Sequence, residues 1–450
     1  MPFLTVLFIA GAILIPGPGE RTARGPAPGA APPNFLVVLL DDVGVDKVGA
    51  YGEHPDAGPT PVFDLVATHG VLYRNAWAMP VCSPTRASTL TGRSPARHGI
   101  GIGVGNNGLT ISADEVMLPR ILGRLGYRSA MVGKWHLSGA GVDFPRHPID
   151  CGFDRVAGPK QNIGDFSNWV RHESDGVTES SAVTNAYATT QQVDDALAII
   201  DEWSDGGAPW LMWLAFNAPH TPLHAPPEHL HTQGPLTGGE PAPVLYRAML
   251  EAADAELGRL LAGMRPAALA NTWVIVLGDN GTPGPSNTPP FGGPGNNKGD
   301  VKEGGVNVPM AIWGPGVVPH EETRLVGCMD LFNTLLELAG GAPPSDRPID
   351  GRSLVPTLFT TDGPPVHRAL YTRTHTPNGA APTTVSEAAR DTRYKLIRHD
   401  APPNDPVSAD PIQFFDLVAD PFEQDDLVGA LSQLTPEQRA RFDALLLSLP

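Results

Sequence analysis

The chain has 450 residues, of which 41% are apolar, 18% charged and 7% aromatic, which excludes a disordered, collagen-like or coiled-coil protein and leaves room for a large core with an appendage. With 31 basic against 48 acidic side chains the formal net charge is −17, so nucleic acid and anionic membrane are disfavoured as general partners, and an anionic substrate needs a local cationic pocket. The 50 glycines and 49 prolines exceed the usual share of about 7% and 5% and place much of the chain in turns and loops, where function concentrates.

From the N-terminus, the apolar run Phe3 to Ile15 is too short to span a bilayer and has the length of a signal-peptide core. No Lys or Arg precedes it, and a Pro/Gly/Ala-rich stretch, Pro16 to Pro33, follows. Residues 1–33 read as a signal peptide or retained anchor plus linker, and the protein as exported. Short apolar runs then recur between helical patterns: Phe35 to Leu40, Arg128 to Val132, Trp210 to Phe216, Thr272 to Leu277 and Met310 to Trp313. Runs apolar on consecutive residues are strands buried on both faces, so the fold class is α/β, a large, mostly parallel sheet flanked by helices. Leu245, Met249, Ala253, Leu257, Leu260, Leu261 and Met264 repeat at helical spacing and predict a core helix that Pro266 ends; Asp330 to Ala339 predicts another. The turn-rich stretch Thr360 to Pro365 closes a main domain, 34–365. Residues 366–450 form a smaller α+β subdomain, with strands at Leu370 to Thr372, Tyr394 to Ile397 and Phe414 to Leu417. Its last helix starts at Thr435, with Pro436 next and Gln438 three residues on, the pattern of a capping box.

In parallel sheets ligands bind beyond the carboxyl ends of the strands. There the sequence has Asp41-Asp42, then Lys134-Trp135-His136, then Asn217 and His220, then Asp279-Asn280. Adjacent carboxylates are costly to bury without a counter-charge. Taken alone, each acidic pair also reads as an ordinary turn or cap. Together they are a set of oxygen ligands suited to a hard ion, Ca²⁺ or Mg²⁺, rather than zinc.

Residues 81 to 93 read Val-Cys-Ser-Pro-Thr-Arg-Ala-Ser-Thr-Leu-Thr-Gly-Arg. Pro84 fits a first helical turn and Gly92 its end, which places Cys82 at a helix N-terminus, where a thiol is expected to ionise readily. A lone cysteine otherwise reads as a small buried hydrophobe.

Cys82-Ser83-Pro84-Thr85-Arg86, continuing to Thr91-Gly92-Arg93, resembles the Cys-x-Pro-x-Arg signature of the type I, formylglycine-dependent sulfatases of the alkaline-phosphatase-like superfamily. The resemblance runs through Asp41-Asp42, Gly133-Lys134-Trp135-His136, Asn217-Ala218-Pro219-His220, Asp279-Asn280-Gly281, Lys298-Gly299 with Glu303-Gly304-Gly305, and Asp330-Leu331-Phe332. Phe415-Asp416-Leu417 with Asp420-Pro421 is similar to the family's C-terminal region. It implies that a formylglycine-generating enzyme converts Cys82 to formylglycine, whose hydrate is the nucleophile towards a sulfate monoester. It also implies that Asp41, Asp42, Asp279, Asn280 and position 82 hold a divalent cation, usually Ca²⁺. Arg86 and Lys134 would steady the hydrated aldehyde and the sulfate oxygens, His136 would assist the nucleophile, and His220 and Lys298 would contact sulfate and help protonate the leaving oxygen. The substrate would be a small-molecule or saccharide sulfate ester.

The chain departs from the family at Val45-Asp46-Lys47, where an aromatic-Gly-Asp segment is frequent, and at Asn307, where an arginine is common. Cys151 and Cys328 match no catalytic position and could pair in an exported protein. Asn280-Gly281-Thr282 also spells a glycosylation acceptor, a reading that the ligand role of Asn280 opposes. Two other readings remain from sequence: a phosphonate monoester or phosphodiester hydrolase using the same nucleophile and ion, and an inactive sulfated-ligand binding protein.

Overall fold

The computed structural model describes residues 31–55, 57–105, 109–289, 295–379, 381–400 and 412–449. The apolar run Phe3 to Ile15 and nearly all of the linker lie outside them. The chain forms β1 (Asn34–Leu40), β2 (Val71–Tyr73), β3 (Ala76–Trp77), β4 (Arg128–Gly133), β5 (Arg155–Gly158), β6 (Trp169–Ser174), β7 (Glu179–Thr184), β8 (Trp210–Ala215), β9 (Thr272–Gly278), β10 (Met310–Trp313), β11 (His320–Glu322) and β12 (Val326–Gly327). One sheet runs β11-β2-β10-β9-β1-β8-β4-β5-β6-β7, and β3 pairs with β12 beside it.

The centre of the sheet, β9-β1-β8-β4-β5, is parallel throughout. Antiparallel pairs flank it on both sides, so the sheet as a whole is mixed. The parallel centre follows from composition: β1, β8 and β9 are buried at every position, the pattern of strands covered by helices on both faces. The hairpin β6–β7 is polar, and β7 is an exposed edge.

Two groups of helices flank the sheet. In one, α1 (Pro61–His69) packs on α5 (Ala242–Gly263), and α5 on α4 (Ala188–Ser204); in the other, α2 (Cys82–Thr91), α3 (Leu118–Arg124) and α6 (Asp330–Leu338) pack together. Helix α4 lies outside the elements predicted from sequence, although Val193, Ala196, Ile200 and Trp203 recur on its buried side. Helix α5 does more than fill the core: its Asp254 accepts the backbone N–H groups of Val62 (2.9 Å) and Phe63 (2.8 Å), capping α1 from a distance.

The C-terminal strands β13 (Leu370–Thr376), β14 (Thr384–Arg390), β15 (Tyr394–Asp400) and β16 (Ile412–Asp416) form an antiparallel meander, longer than the sequence runs suggested and with β14 added. Helix α7 (Pro436–Ser448) begins on the expected capping box: Gln438 N donates to Thr435 Oγ1 at 3.3 Å, and Thr435 N to Gln438 Oε1 at 2.9 Å. This sheet is tied to the main one by buried charge. Glu303 accepts from Arg390 Nη1 (2.8 Å), Lys395 Nζ (3.0 Å) and Trp77 Nε1 (3.2 Å), and Lys395 also meets Glu423 Oε1 at 2.9 Å.

All three cysteines are free and buried, so the pairing of Cys151 with Cys328 does not occur. Burial pushes both thiols up to about 12.

Removing one partner of a buried ion pair leaves the other charge uncompensated, which costs about 3–5 kcal/mol. Glu303→Ala, which strands Arg390 and shifts Lys395 onto Glu423 alone, is therefore expected to lower the free energy of unfolding by about that amount, read from urea denaturation. A loss below about 1 kcal/mol would show that the cluster is not a brace.

Candidate active site

Strand register sets the site. β1 pairs with β9 as far as Leu40↔Gly278 and with β8 as far as Leu39↔Ala215, while β8 pairs with β4 to Ala215↔Gly133. The residues that follow therefore leave the sheet side by side at its carboxyl edge: Asp41-Asp42, Asp279-Asn280, Asn217 and Lys134. Gly133 is required there. Its φ is +89°, and a Cβ would stand 2.0 Å from the Ala215 carbonyl oxygen, a conformation and a clearance open only to glycine.

Cys82 is the first residue of α2, whose every residue is buried, and Gly92 closes the helix at φ +68° with its N–H on Ser88 O at 2.8 Å. Cys82 Sγ lies 3.2 Å from His136 Nδ1. One ligand atom each of Asp41, Cys82 and Asp279 lie within 4.8 Å of one another, as do those of Asp41, Asp42 and His220. Arg86 donates to Asp279 Oδ2 through Nη2 (2.7 Å) and Nε (3.1 Å) and to the Lys134 carbonyl through Nη1. Lys134 Nζ sits 2.5 Å from Asp41 Oδ2, and Lys298 Nζ 2.6 Å from Asp42 Oδ1. His220 Nδ1 donates to Thr221 O at 2.8 Å, and its Nε2 is 3.7 Å from Asp42 Oδ2. All ten residues expected from sequence are thus drawn into one cluster.

The electrostatics are those of a dry site. Burial pushes the Asp279 carboxyl up, with Asp41 adding to it and Arg86 and Lys134 opposing. Burial lowers His136 well below its ordinary value, reinforced by Lys134 and Arg86. Burial opposes the charge on Lys298, but Asp42 outweighs it and the pKa rises. The expectation of a readily ionised Cys82 is corrected: burial raises the thiol, and the pull of Lys134 and Lys298 does not overcome it.

The ligand set fits a hard cation. Buried polar atoms are almost always hydrogen-bonded, yet Asp41 Oδ1 and Asn280 Oδ1 have no partner among the described residues. Both belong to residues that are 0% exposed, which also removes Asn280 as a glycan acceptor. The oxygen donors of Asp41, Asp42, Asp279 and Asn280 around such orphaned lone pairs suit Ca²⁺ or Mg²⁺.

Sequence reasoning missed the scaffold behind these groups. Thr282 Oγ1 accepts from Gly44 N (3.1 Å) and donates to Asp46 Oδ1 (2.8 Å), joining the loop after β1 to the loop after β9. Asp46, one of the departures from the family pattern, thus has a structural task. Gln192 Nε2, on α4, holds Asn217 Oδ1 at 2.8 Å. Gly281 presses on the Glu303-Gly304-Gly305 turn so closely that a Cβ would come within 1.9 Å of the Gly304 carbonyl oxygen. The signal for Thr282 was available, two residues beyond Asn280; nothing in sequence pointed to Gln192. His224 packs against Phe166, centroids 4.3 Å apart and planes tilted by 36°, and bonds the Tyr187 hydroxyl, which gives it a structural role.

The sulfatase family model matches residues 33–342. N-acetylgalactosamine-6-sulfatase of Sus scrofa is 34% identical over 362 residues, 73% of this chain and 66% of that protein. The chain belongs to the sulfatase family. The match spans just under two thirds of that sulfatase's length; with arylsulfatase A of Bos taurus it covers 93% of this chain and 89% of the relative at 29% identity. The fold is shared with BT4656, solved in complex with its substrate D-glucosamine-2-N,6-O-disulfate: TM-score 0.74, 22% identity, 92% of this chain and 97% of that one.

A ligand that binds only the folded state stabilises it by about 2.7 kcal/mol at a hundredfold excess over its dissociation constant. Ca²⁺ added to EDTA-treated protein is expected to raise the thermal midpoint, and Asp41→Asn or Asp279→Asn to abolish the rise. No shift in the wild-type protein, with Mg²⁺ equally silent, would remove the cation from the site.

Proposed function

We propose that the chain hydrolyses a sulfate monoester to an alcohol and inorganic sulfate, with position 82 as the nucleophile. The observation that carries this reading is the placement of Cys82 Sγ against Asp41 and Asp279 and 3.2 Å from His136 Nδ1, among Arg86, Lys134 and Lys298. Formylglycine formed from Cys82 by a formylglycine-generating enzyme would supply, as its hydrate, one oxygen for attack on sulfur and a second hydroxyl through which the sulfated enzyme can release its product. A divalent cation held by Asp41, Asp42, Asp279 and Asn280 would offset negative charge on nucleophile and sulfate.

The remaining work falls to this chain's own residues. Charge accumulates on oxygen in the transition state, so fixed cations in a water-poor site stabilise it most. Arg86 and Lys134 are completely buried and held by Asp279 and Asp41, so they are oriented before substrate arrives. His136 Nδ1 is in reach of a hydroxyl at position 82 and, kept neutral by burial, can accept its proton. His220 spends Nδ1 on the Thr221 carbonyl, so a proton on Nε2 makes it an imidazolium facing the site, suited to give that proton to the leaving alcohol oxygen. Lys298, the more exposed of the lysines, meets the sulfate as it enters.

The division at 34–365 and 366–450 belongs to the same proposal: the first part holds the chemistry and the second braces the loop that bears Lys298. No helix among the described residues is long and apolar enough to cross a membrane, and export through the N-terminal segment is part of the proposal. Two names guide the substrate class, N-acetylgalactosamine-6-sulfatase and the complex with D-glucosamine-2-N,6-O-disulfate, and we propose a sulfated sugar.

Mass spectrometry of the tryptic peptide 75–86, from protein co-expressed with a generating enzyme, is expected to show an aldehyde in place of the Cys82 thiol. Cys82→Ala and Cys82→Ser should lose turnover of an aryl sulfate by on the order of 10³ or more, as for loss of a covalent nucleophile. His220→Ala should lose about 10²–10⁴. Faster turnover of an aryl phosphonate than of the sulfate would replace this reading with a phosphonate monoester hydrolase, and an intact thiol with no turnover would leave a binding protein.

A further inference from the structure

Among the described residues only Asp42 (φ +74°), His136 (φ +60°) and Glu423 (φ +55°) are non-glycine residues with positive φ. Such a backbone is disfavoured for L residues and persists only where its surroundings hold it. In each case a side chain holds the carbonyl oxygen. Tyr246 Oη donates to Asp42 O at 2.6 Å, Ser83 Oγ to His136 O at 2.8 Å, and Lys302 Nζ to Glu423 O at 3.3 Å. The first two of these residues line the active site, and the donors that hold them are hydroxyls buried in helices.

We infer that Tyr246 is a positioning residue that sets the cation affinity of the site by fixing the left-handed backbone of Asp42. The inference rests on the proposed ligand role of Asp42. Every other polar group of Asp42 is already committed: its N–H donates to Asp279 Oδ1 at 3.0 Å, and its carboxylate receives Asn280 Nδ2 at 2.8 Å and Lys298 Nζ. The carbonyl is the remaining handle, and it sits at the pivot of the strained turn. If it swings, the peptide that joins Asp42 to Val43 turns with it, and the Asp42 carboxylate leaves its place beside Asp41 and Asn280. Tyr246 is 1% exposed and comes from the second turn of α5, so it acts through Asp42 and not on substrate. Its ring packs in the main core while its hydroxyl reaches the turn, so a rigid helix reports directly on one ligand.

The test is titration calorimetry with CaCl₂ on the full chain after EDTA treatment, comparing wild type, Tyr246→Phe and Tyr73→Phe. Tyr73 is an equivalent deletion elsewhere: its hydroxyl pairs with Thr357 Oγ1 at 2.6 Å. Partners that orient a ligand typically change metal affinity 10- to 100-fold. Tyr246→Phe is therefore expected to weaken Ca²⁺ binding about 10-fold or more, and Tyr73→Phe to leave it unchanged. Thermal unfolding of all three in EDTA reports the purely structural cost. If Tyr246→Phe loses thermal stability yet binds Ca²⁺ as tightly as wild type, or if Tyr73→Phe weakens binding equally, the inference is overturned and the proposed function stands. No binding isotherm in the wild type would overturn both.

Discussion

The structure depends on burying three carboxylates at one end of a parallel sheet. Asp41, Asp42 and Asp279 are essentially inaccessible, and bringing such charges out of water costs several kcal/mol apiece unless each is matched. Arg86, Lys134 and Lys298 supply the match, one to each acid. Those six groups come from the ends of β1, β4 and β9, a helix and a loop, so the site needs the centre of the sheet paired and the helix and loop packed on it. The balance of the six is neutral, and the proposed divalent ion held among them would make it positive. A protein with a net charge of −17 would thereby acquire the local field that the proposed anionic ester requires.

Much of this was legible because chemistry and topology share one signal. An apolar run ending in polar residues marks both a buried strand and its ligand-bearing end, and β1, β4, β8 and β9 each announced themselves that way. The edges were not legible for the opposite reason. β7 is exposed along nearly its whole length and β6 is only partly buried, so Arg171, His172, Glu173 and Ser180 dilute the pattern, and the two-residue β3 and β12 offer no period at all. Helix α5 shows a subtler limit. Its apolar repeat predicted a core helix correctly, but periodicity is blind to what Tyr246 and Asp254 do at their tips. A buried hydroxyl or carboxylate on an apolar face looks like noise in a sequence and proves in the structure to be a cap on another element.

The C-terminal sheet enters the same network. Glu303, in the turn that presses on Gly281, is matched by Arg390 and Lys395 from β14 and β15. Glu423 from the following loop accepts the Glu303 N–H, and Phe422 O accepts from Asn296 Nδ2. Lys298 lies between these anchors, with its N–H on Thr282 O and that of Gly299 on Pro80 O. The loop carrying Lys298 is thus fastened to the ligand loop, to the approach to Cys82 and to the second sheet. The sequence markers Glu303-Gly304-Gly305 and the run from Phe415 to Pro421 lie on either side of this contact.

Exposure orders the site from inside to outside. Arg86 and Lys134 are sealed, Cys82 and His136 nearly so, whereas the side chains of His220 and Lys298 keep 13% and 21% of their surface. Under the proposed reaction an ester would approach past those two, and its alcohol portion would come to rest beside His220, the proposed proton donor. Specificity for that alcohol would then fall to what surrounds His220 and Lys298, the segments after β8 and β9. These are rich in proline and glycine and carry no periodic signal, which is why the sequence speaks to the proposed reaction in more detail than to its substrate.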